Sequence, residues 1–111
     1  MPLPTEDVAV IREWAGALNA GMPPQVAAEL RYEIETDRNA VTVFECRQMD
    51  TSESWFKVPL ARLRFFRSRG WELYYADRDS NFHVYEQVEP TQYVAELLDE
   101  IDDDPTCIFF G

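Results

Sequence analysis

Two kinds of hydrophobic spacing divide this chain. Val8, Ile11, Ala15 and Leu18 stand three, four and three residues apart, and Val94, Leu97, Leu98 and Ile101 fall at i, i+3, i+4 and i+7. Each set is one face of a helix. Thr5 can cap the first helix, Glu6 and Asp7 suit the positive end of its dipole, and Trp14 widens its apolar face. Asn19-Ala20-Gly21 followed by Pro23-Pro24 stops it, and Pro24 can open a second short helix reaching Ala28. Pro90 fits the first turn of the last helix.

Between the helices the period drops to two. Leu30, Tyr32 and Ile34 alternate with Arg31, Glu33 and Glu35, and a second strand follows from Ala40 to Arg47. A three-residue turn, Asp37-Arg38-Asn39, with Asn39 in the left-handed region joins them. That register sets Leu30, Tyr32 and Ile34 opposite Cys46, Phe44 and Thr42, with Arg31 opposite Glu45. Gln48 to Ser54 reads as a polar loop. Trp55 to Val58 begins a third strand, where Pro59 predicts an edge, a bend or a strand end, with extension resuming from Leu63 to Phe66. Ser68-Arg69-Gly70 turns the chain into an aromatic hairpin running from Trp71 to Gln87. A four-residue loop, Arg78 to Asn81, gives the hairpin one apolar face of Trp71, Leu73, Tyr75, Phe82 and Val84. Glu72, Tyr74, Ala76, His83, Tyr85 and Gln87 form the other. The whole reads as one α+β domain over residues 1–111. It is an antiparallel β-meander of about five strands, with an N-terminal helix pair and a C-terminal amphipathic helix packed on the sheet.

Composition agrees with one folded unit: 111 residues, 46% hydrophobic and 14% aromatic. No apolar run approaches the roughly 18 residues a membrane span needs, and the acidic start, Met-Pro-Leu-Pro-Thr-Glu-Asp, lacks the form of a secretory signal. The expected location is the cytoplasm, with Cys46 and Cys107 as free thiols. The closing Cys107-Ile108-Phe109-Phe110 is poorly suited to water and is expected to dock on the fold or on a second copy.

Charge narrows the function classes. A net charge of −11 repels phosphate and argues against the whole surface binding nucleic acid or anionic lipid. The charges are segregated: Lys57, Arg62, Arg64, Arg67 and Arg69 form a basic block, and Asp99, Glu100, Asp102, Asp103 and Asp104 an acidic one.

The segments Val41 to Arg47, Val58 to Phe65, Trp71 to Tyr75 with Asp77-Arg78-Asp79, Phe82 to Tyr85, and Asp104-Pro105-Thr106 with Phe109-Phe110-Gly111 carry a resemblance. Together they resemble a family of small bacterial proteins catalogued as a domain of unknown function, from Pro23 onward. Tyr75 and Phe82 stand where members often carry Trp, and Cys107 where they carry Gly. The resemblance implies one compact domain and no activity.

Three constellations can be weighed for chemistry. His83, flanked by Tyr85 on its strand and with Tyr74 and Glu72 across, can serve a general base or a small-molecule site. No motif supplies it with a nucleophile, and a lone strand histidine more often packs or hydrogen-bonds. The residues Arg62, Arg64, Arg67 and Arg69, interleaved with Phe65, Phe66 and Trp71, resemble a single-stranded nucleic-acid surface. The −11 charge favours instead Leu63 and Phe65 in the core and the arginines on a solvated face, paired with Asp and Glu of the same protein. Glu96, Glu100, Asp99 and Asp103 recur on one helix face without a cation-binding loop, so the sequence implies no metal and no cofactor. The function expected is a small acidic interaction or adaptor domain whose partner is a protein or a second copy, in preference to nucleic acid or a membrane. An enzyme or ligand-binder around His83 is the alternative.

Overall fold

A computed structural model describes residues 3–48 and 54–110 of the chain, so most of the polar loop expected before Trp55 lies outside the described residues. The elements follow in order as α1 (Thr5–Ala20), α2 (Pro24–Ala27), β1 (Leu30–Thr36), β2 (Ala40–Gln48), β3 (Trp55–Phe66), β4 (Gly70–Ala76), β5 (Phe82–Val84) and α3 (Val94–Asp103). The five strands form one antiparallel sheet in chain order, β1-β2-β3-β4-β5. Among the described residues no helix is long and apolar enough to cross a membrane.

Both long helices lie on the same face of this sheet. Ile11 of α1 and Val94, Leu97, Leu98 and Ile101 of α3 are buried together with Val41, Val43, Ala61, Leu63, Trp71 and Leu73. The helical spacings therefore identify the residues that meet the sheet. Trp14 joins the helices by donating its indole N–H to the Asp102 carboxylate at 3.0 and 3.1 Å. α3 starts at Val94, so Pro90 precedes it. Thr91 instead exchanges backbone hydrogen bonds with Trp71, fastening the approach to α3 onto β4.

Both hairpin registers differ by one residue from the sequence expectation. In the first, Tyr32 stands opposite Glu45 and Arg31 opposite Cys46. Asp37 N–H donates to Ala40 O at 2.8 Å, so the loop is the two residues Arg38 and Asn39, and Asn39 is not left-handed. Val41 and Val43 are fully buried on the helix side, and Thr42 and Phe44 turn to the other face. In the second, Tyr75 pairs with His83 and Ala76 with Phe82, and Asp77 N–H donates to Asn81 O. Its loop is the three residues Arg78 to Ser80, with Ser80 at φ 66°. A one-residue slip moves every side chain of the returning strand to the other face.

Pro59 lies inside a continuous β3 at a bulge, where the β2 register passes from Val43↔Ala61 to Phe44↔Pro59. Gln48 N–H turns to Glu29 O on the β1 side, so alternation turns the backbone of Arg47 and Glu45 towards Phe56 and Val58. The N–H that Pro59 lacks would point away from β2, on the side where the β4 ladder begins only at Ala61. No ladder bond is lost there, which is why a proline is tolerated in this strand.

The outer edge of β1 is closed by a side chain. Asn19, at the end of α1, donates its amide to Tyr32 O at 2.9 Å and accepts Tyr32 N–H at 2.7 Å. The amide stands in for a neighbouring strand. Asn19→Ala should cost about 1–2 kcal/mol, because both Tyr32 backbone groups then lose their partner. Urea unfolding checks this, and a loss below about 0.5 kcal/mol would mean that water replaces the amide.

The carboxy-terminal tail docks on the fold. Phe109 is buried with its ring 5.2 Å from that of Tyr85, and Phe110 meets Tyr32 edge-on. Asp104, left-handed at φ 43°, ends α3 and accepts the N–H groups of Phe109 and Phe110 at 3.0 and 2.7 Å.

Candidate functional site

The helices leave the second face of the sheet bare among the described residues. The residues alternating with the core place Arg31, Glu33 and Glu35 of β1 beside Thr42, Phe44 and Cys46 of β2. Next to these come Lys57, Arg62 and Arg64 of β3, Glu72 and Tyr74 of β4, and Phe82 and Val84 of β5. Phe66 ends β3 on this face, and Arg69 reaches back over it from the turn. Five of the ten basic residues of the chain thus gather on one face with only three of its twenty-one acidic ones.

The five cations lie against aromatic rings, Arg62 and Arg64 half-buried and Arg31, Lys57 and Arg69 exposed. The guanidinium of Arg69 is 3.7 Å from the Phe66 ring centre, that of Arg62 4.0 Å from Phe82, and that of Arg31 4.2 Å from Trp55. Arg64 sits 5.3 Å from Phe66 and 5.6 Å from Tyr74, and the Lys57 ammonium 5.2 Å from Phe44. Their aliphatic stems cover the sheet, which is how Thr42, Cys46 and Tyr74 are buried on a face that no helix overlies.

Polar contacts hold this layer in place. Arg62 Nε donates to Thr42 Oγ1 at 3.0 Å, Arg31 Nε to Glu33 at 2.6 Å, and Tyr74 Oη to Glu72 at 2.5 Å. Lys57 contacts Glu35 and lies 3.6 Å from Glu33, while Arg69 lies 3.6 Å from Glu72. Among the described residues, Arg62 and Arg64 form no ion pair with a carboxylate. Burial, reinforced by the hydrogen bond to Glu72, raises the Tyr74 phenol above its ordinary range. Burial, with Glu33 next, likewise raises the Cys46 thiol and keeps it protonated, so neither group is an activated nucleophile.

The candidate face Glu72, Tyr74, His83 and Tyr85 is divided by the hairpin register. Glu72 and Tyr74 belong to the open face, and His83 and Tyr85 to the helix side. His83 Nε2 lies 2.7 Å from Asp77 Oδ2, with its ring 5.4 Å from that of Tyr75. The same aspartate accepts N–H groups of Asp79 and Asn81 through its other oxygen, and the His83 hydrogen bond leads in lowering its pKa. His83 therefore fastens the hairpin loop. Tyr85 is buried, its phenol raised by burial and donating to Glu100 at 2.8 Å. A concavity of about 220 Å³ nearby is lined by Tyr75, Val84, Tyr85 and the tail residues Thr106 and Ile108, with His83 outside its lining.

Of the basic stretch, Arg62, Arg64 and Arg69 meet on the open face, whereas Arg67 borders a separate depression with Pro4, Asp7 and Gln92. Phe65 and Trp71, 5.2 Å apart, belong to the helix side. Arg31, Lys57, Phe44, Trp55 and Phe82 come to the face from distant parts of the chain. The β1 alternation of Arg31, Glu33 and Glu35 was the signal that could have placed three of its members. The acidic helix is taken up by structural contacts: Glu96 accepts from Thr91, Glu100 from Tyr85 and Asp102 from Trp14. Among the described residues no group of three or more His, Cys, Asp or Glu side chains could hold a metal ion. Cys46 and Cys107 are both free.

Comparison with known proteins finds one family model that matches, described as a domain of unknown function (DUF3024), over residues 3–111. No curated protein and no solved structure matches the chain.

Proposed function

The chain belongs to this family of unknown function, and from its own surface we propose that it is a protein-interaction module that receives its partner on the open face of the sheet. The observation that carries the reading is the layer of arginines stacked on rings over the face that neither long helix covers. Arginine and aromatic residues are the types that dominate the energetics of protein interfaces. Stacking also fixes the side chains in advance, so less conformational entropy remains to be lost when a partner arrives. A site around His83 has less support, because Tyr85 is committed to the core and His83 to the hairpin loop.

The test is affinity capture from the native host with the wild-type chain and two double variants. Arg62→Glu with Arg64→Glu reverses two charges on the face. Arg12→Glu with Arg38→Glu makes the same change in net charge on α1 and the β1–β2 turn. The expected result is a captured protein that binds again when purified and weakens about tenfold or more only with the first pair. Equal weakening by both pairs, or by neither, would remove the face from the reading.

A further inference from the structure

Resting on that reading, we infer that the occupant of the open face is an extended acidic segment of a partner protein, with carboxylates on alternate residues that dock edge-on against Arg62 and Arg64. Three features of the layer lead there. A guanidinium stacked on a ring uses its flat side and leaves its in-plane N–H groups free, and that edge takes a carboxylate in a bidentate fork. Arg62 is stacked 4.0 Å over Phe82 and, among the described residues, spends only Nε, on Thr42, which leaves both of its terminal nitrogens. Arg64 lies 5.3 Å from Phe66 and 5.6 Å from Tyr74, whose phenol takes part of its hydrogen bonding, and it too has no carboxylate partner among the described residues. The net charge of the layer, five basic against three acidic residues, complements an acidic ligand on a chain that is otherwise strongly negative.

Spacing adds the second part. Arg62 and Arg64 are two residues apart on one strand, with their side chains on the same face. That separation is about 6.6–6.8 Å, the distance between alternate residues of any extended chain. An extended segment laid along β3 with acidic side chains at i and i+2 repeats the spacing at which the two arginines leave the strand, with every carboxylate on the side that faces the sheet.

Single-stranded nucleic acid is disfavoured by the same geometry. Base binding needs ring faces on which to stack, and Phe66, Phe82 and Trp55 already carry a guanidinium.

The probes are a fluorescent peptide alternating Glu and Thr, an isomer with the same residues in two blocks, and oligothymidylate of similar charge. The alternating peptide should bind the full chain most tightly and weaken as salt is added. Arg62→Gln with Arg64→Gln should weaken it by about a hundredfold, and the Arg→Lys pair, which keeps charge without the planar edge, by about tenfold. Thermal unfolding of each variant reports whether it is folded, and the two isomers test the spacing on the wild-type chain alone. Equal binding of the two isomers, tighter binding of oligothymidylate, undiminished binding by the lysine pair, or no binding of acidic peptide would each overturn the inference. If protein capture depends on the face while acidic peptides fail, the interaction reading stands and only this inference falls.

Discussion

Trp71→Ala should destabilise the domain by about 3–5 kcal/mol, a large share of what a domain of this size has available. Trp71 is fully buried, packs its ring 5.2 Å from Phe65, and donates its indole N–H to Asp7 Oδ2 at 2.9 Å. It therefore joins β4, the end of β3 and the first turn of α1. Its backbone bridge to Thr91, at 2.7 and 2.9 Å, survives the truncation, so the loss measures the side chain alone. Trp71→Phe keeps a ring in the core and removes the N–H and part of the volume; about 1–2 kcal/mol is expected. Urea unfolding with matched m-values separates the two variants. An alanine variant within about 1 kcal/mol of the wild type would mean that the site collapses to fill the space.

The parts of the fold that could be read in the sequence are those where one face is strongly marked. The four apolar residues of α3 recur at helical spacing, and all four are buried. The strands were legible from alternation, and their order follows from short connections. The registers were not. Asp37-Arg38-Asn39 invites a three-residue loop because Asn tolerates positive φ, yet Asp37 pairs with Ala40. In the aromatic hairpin the left-handed residue is Ser80, a residue type with no special claim to that conformation. A strand that is apolar on both faces, such as Phe82-His83-Val84-Tyr85, gives no periodic signal to choose between the two registers. The site inherited that ambiguity.

The same slip explains what the open face is. In the expected register His83 and Tyr85 would have stood on the open face in place of Phe82 and Val84. With Phe82 outside, Arg62 lies over its ring and Arg64 beside Tyr74 and Phe66, and a net repulsive set of charges becomes an ordered layer. The layer is visible only after register is known, because it joins β1, β2, β3, β4 and β5.

Gly70→Ala should cost about 2–4 kcal/mol, although it adds a single methyl group. Gly70 opens β4 at φ 82°, a conformation that costs an L-residue about 1–2 kcal/mol. A Cβ placed there would lie 2.5 Å from the Thr91 carbonyl oxygen, 2.7 Å from its carbon and 2.9 Å from Gln92 Cα. These are backbone atoms, and no rotamer change relieves them. The strap that carries the chain into α3 has to move outward, which strains both Trp71–Thr91 hydrogen bonds and loosens α3 from β4. Gly16, in the middle of α1, is the matched control. It has an open surrounding, so Gly16→Ala should stabilise by about 0.5–1 kcal/mol through helix propensity. The same chemical change is thus expected to have opposite signs at two glycines, read as shifts in urea midpoint. A Gly70→Ala variant as stable as Gly16→Ala would show that the strap yields freely and that the Thr91 bridge contributes nothing to holding α3 on the sheet.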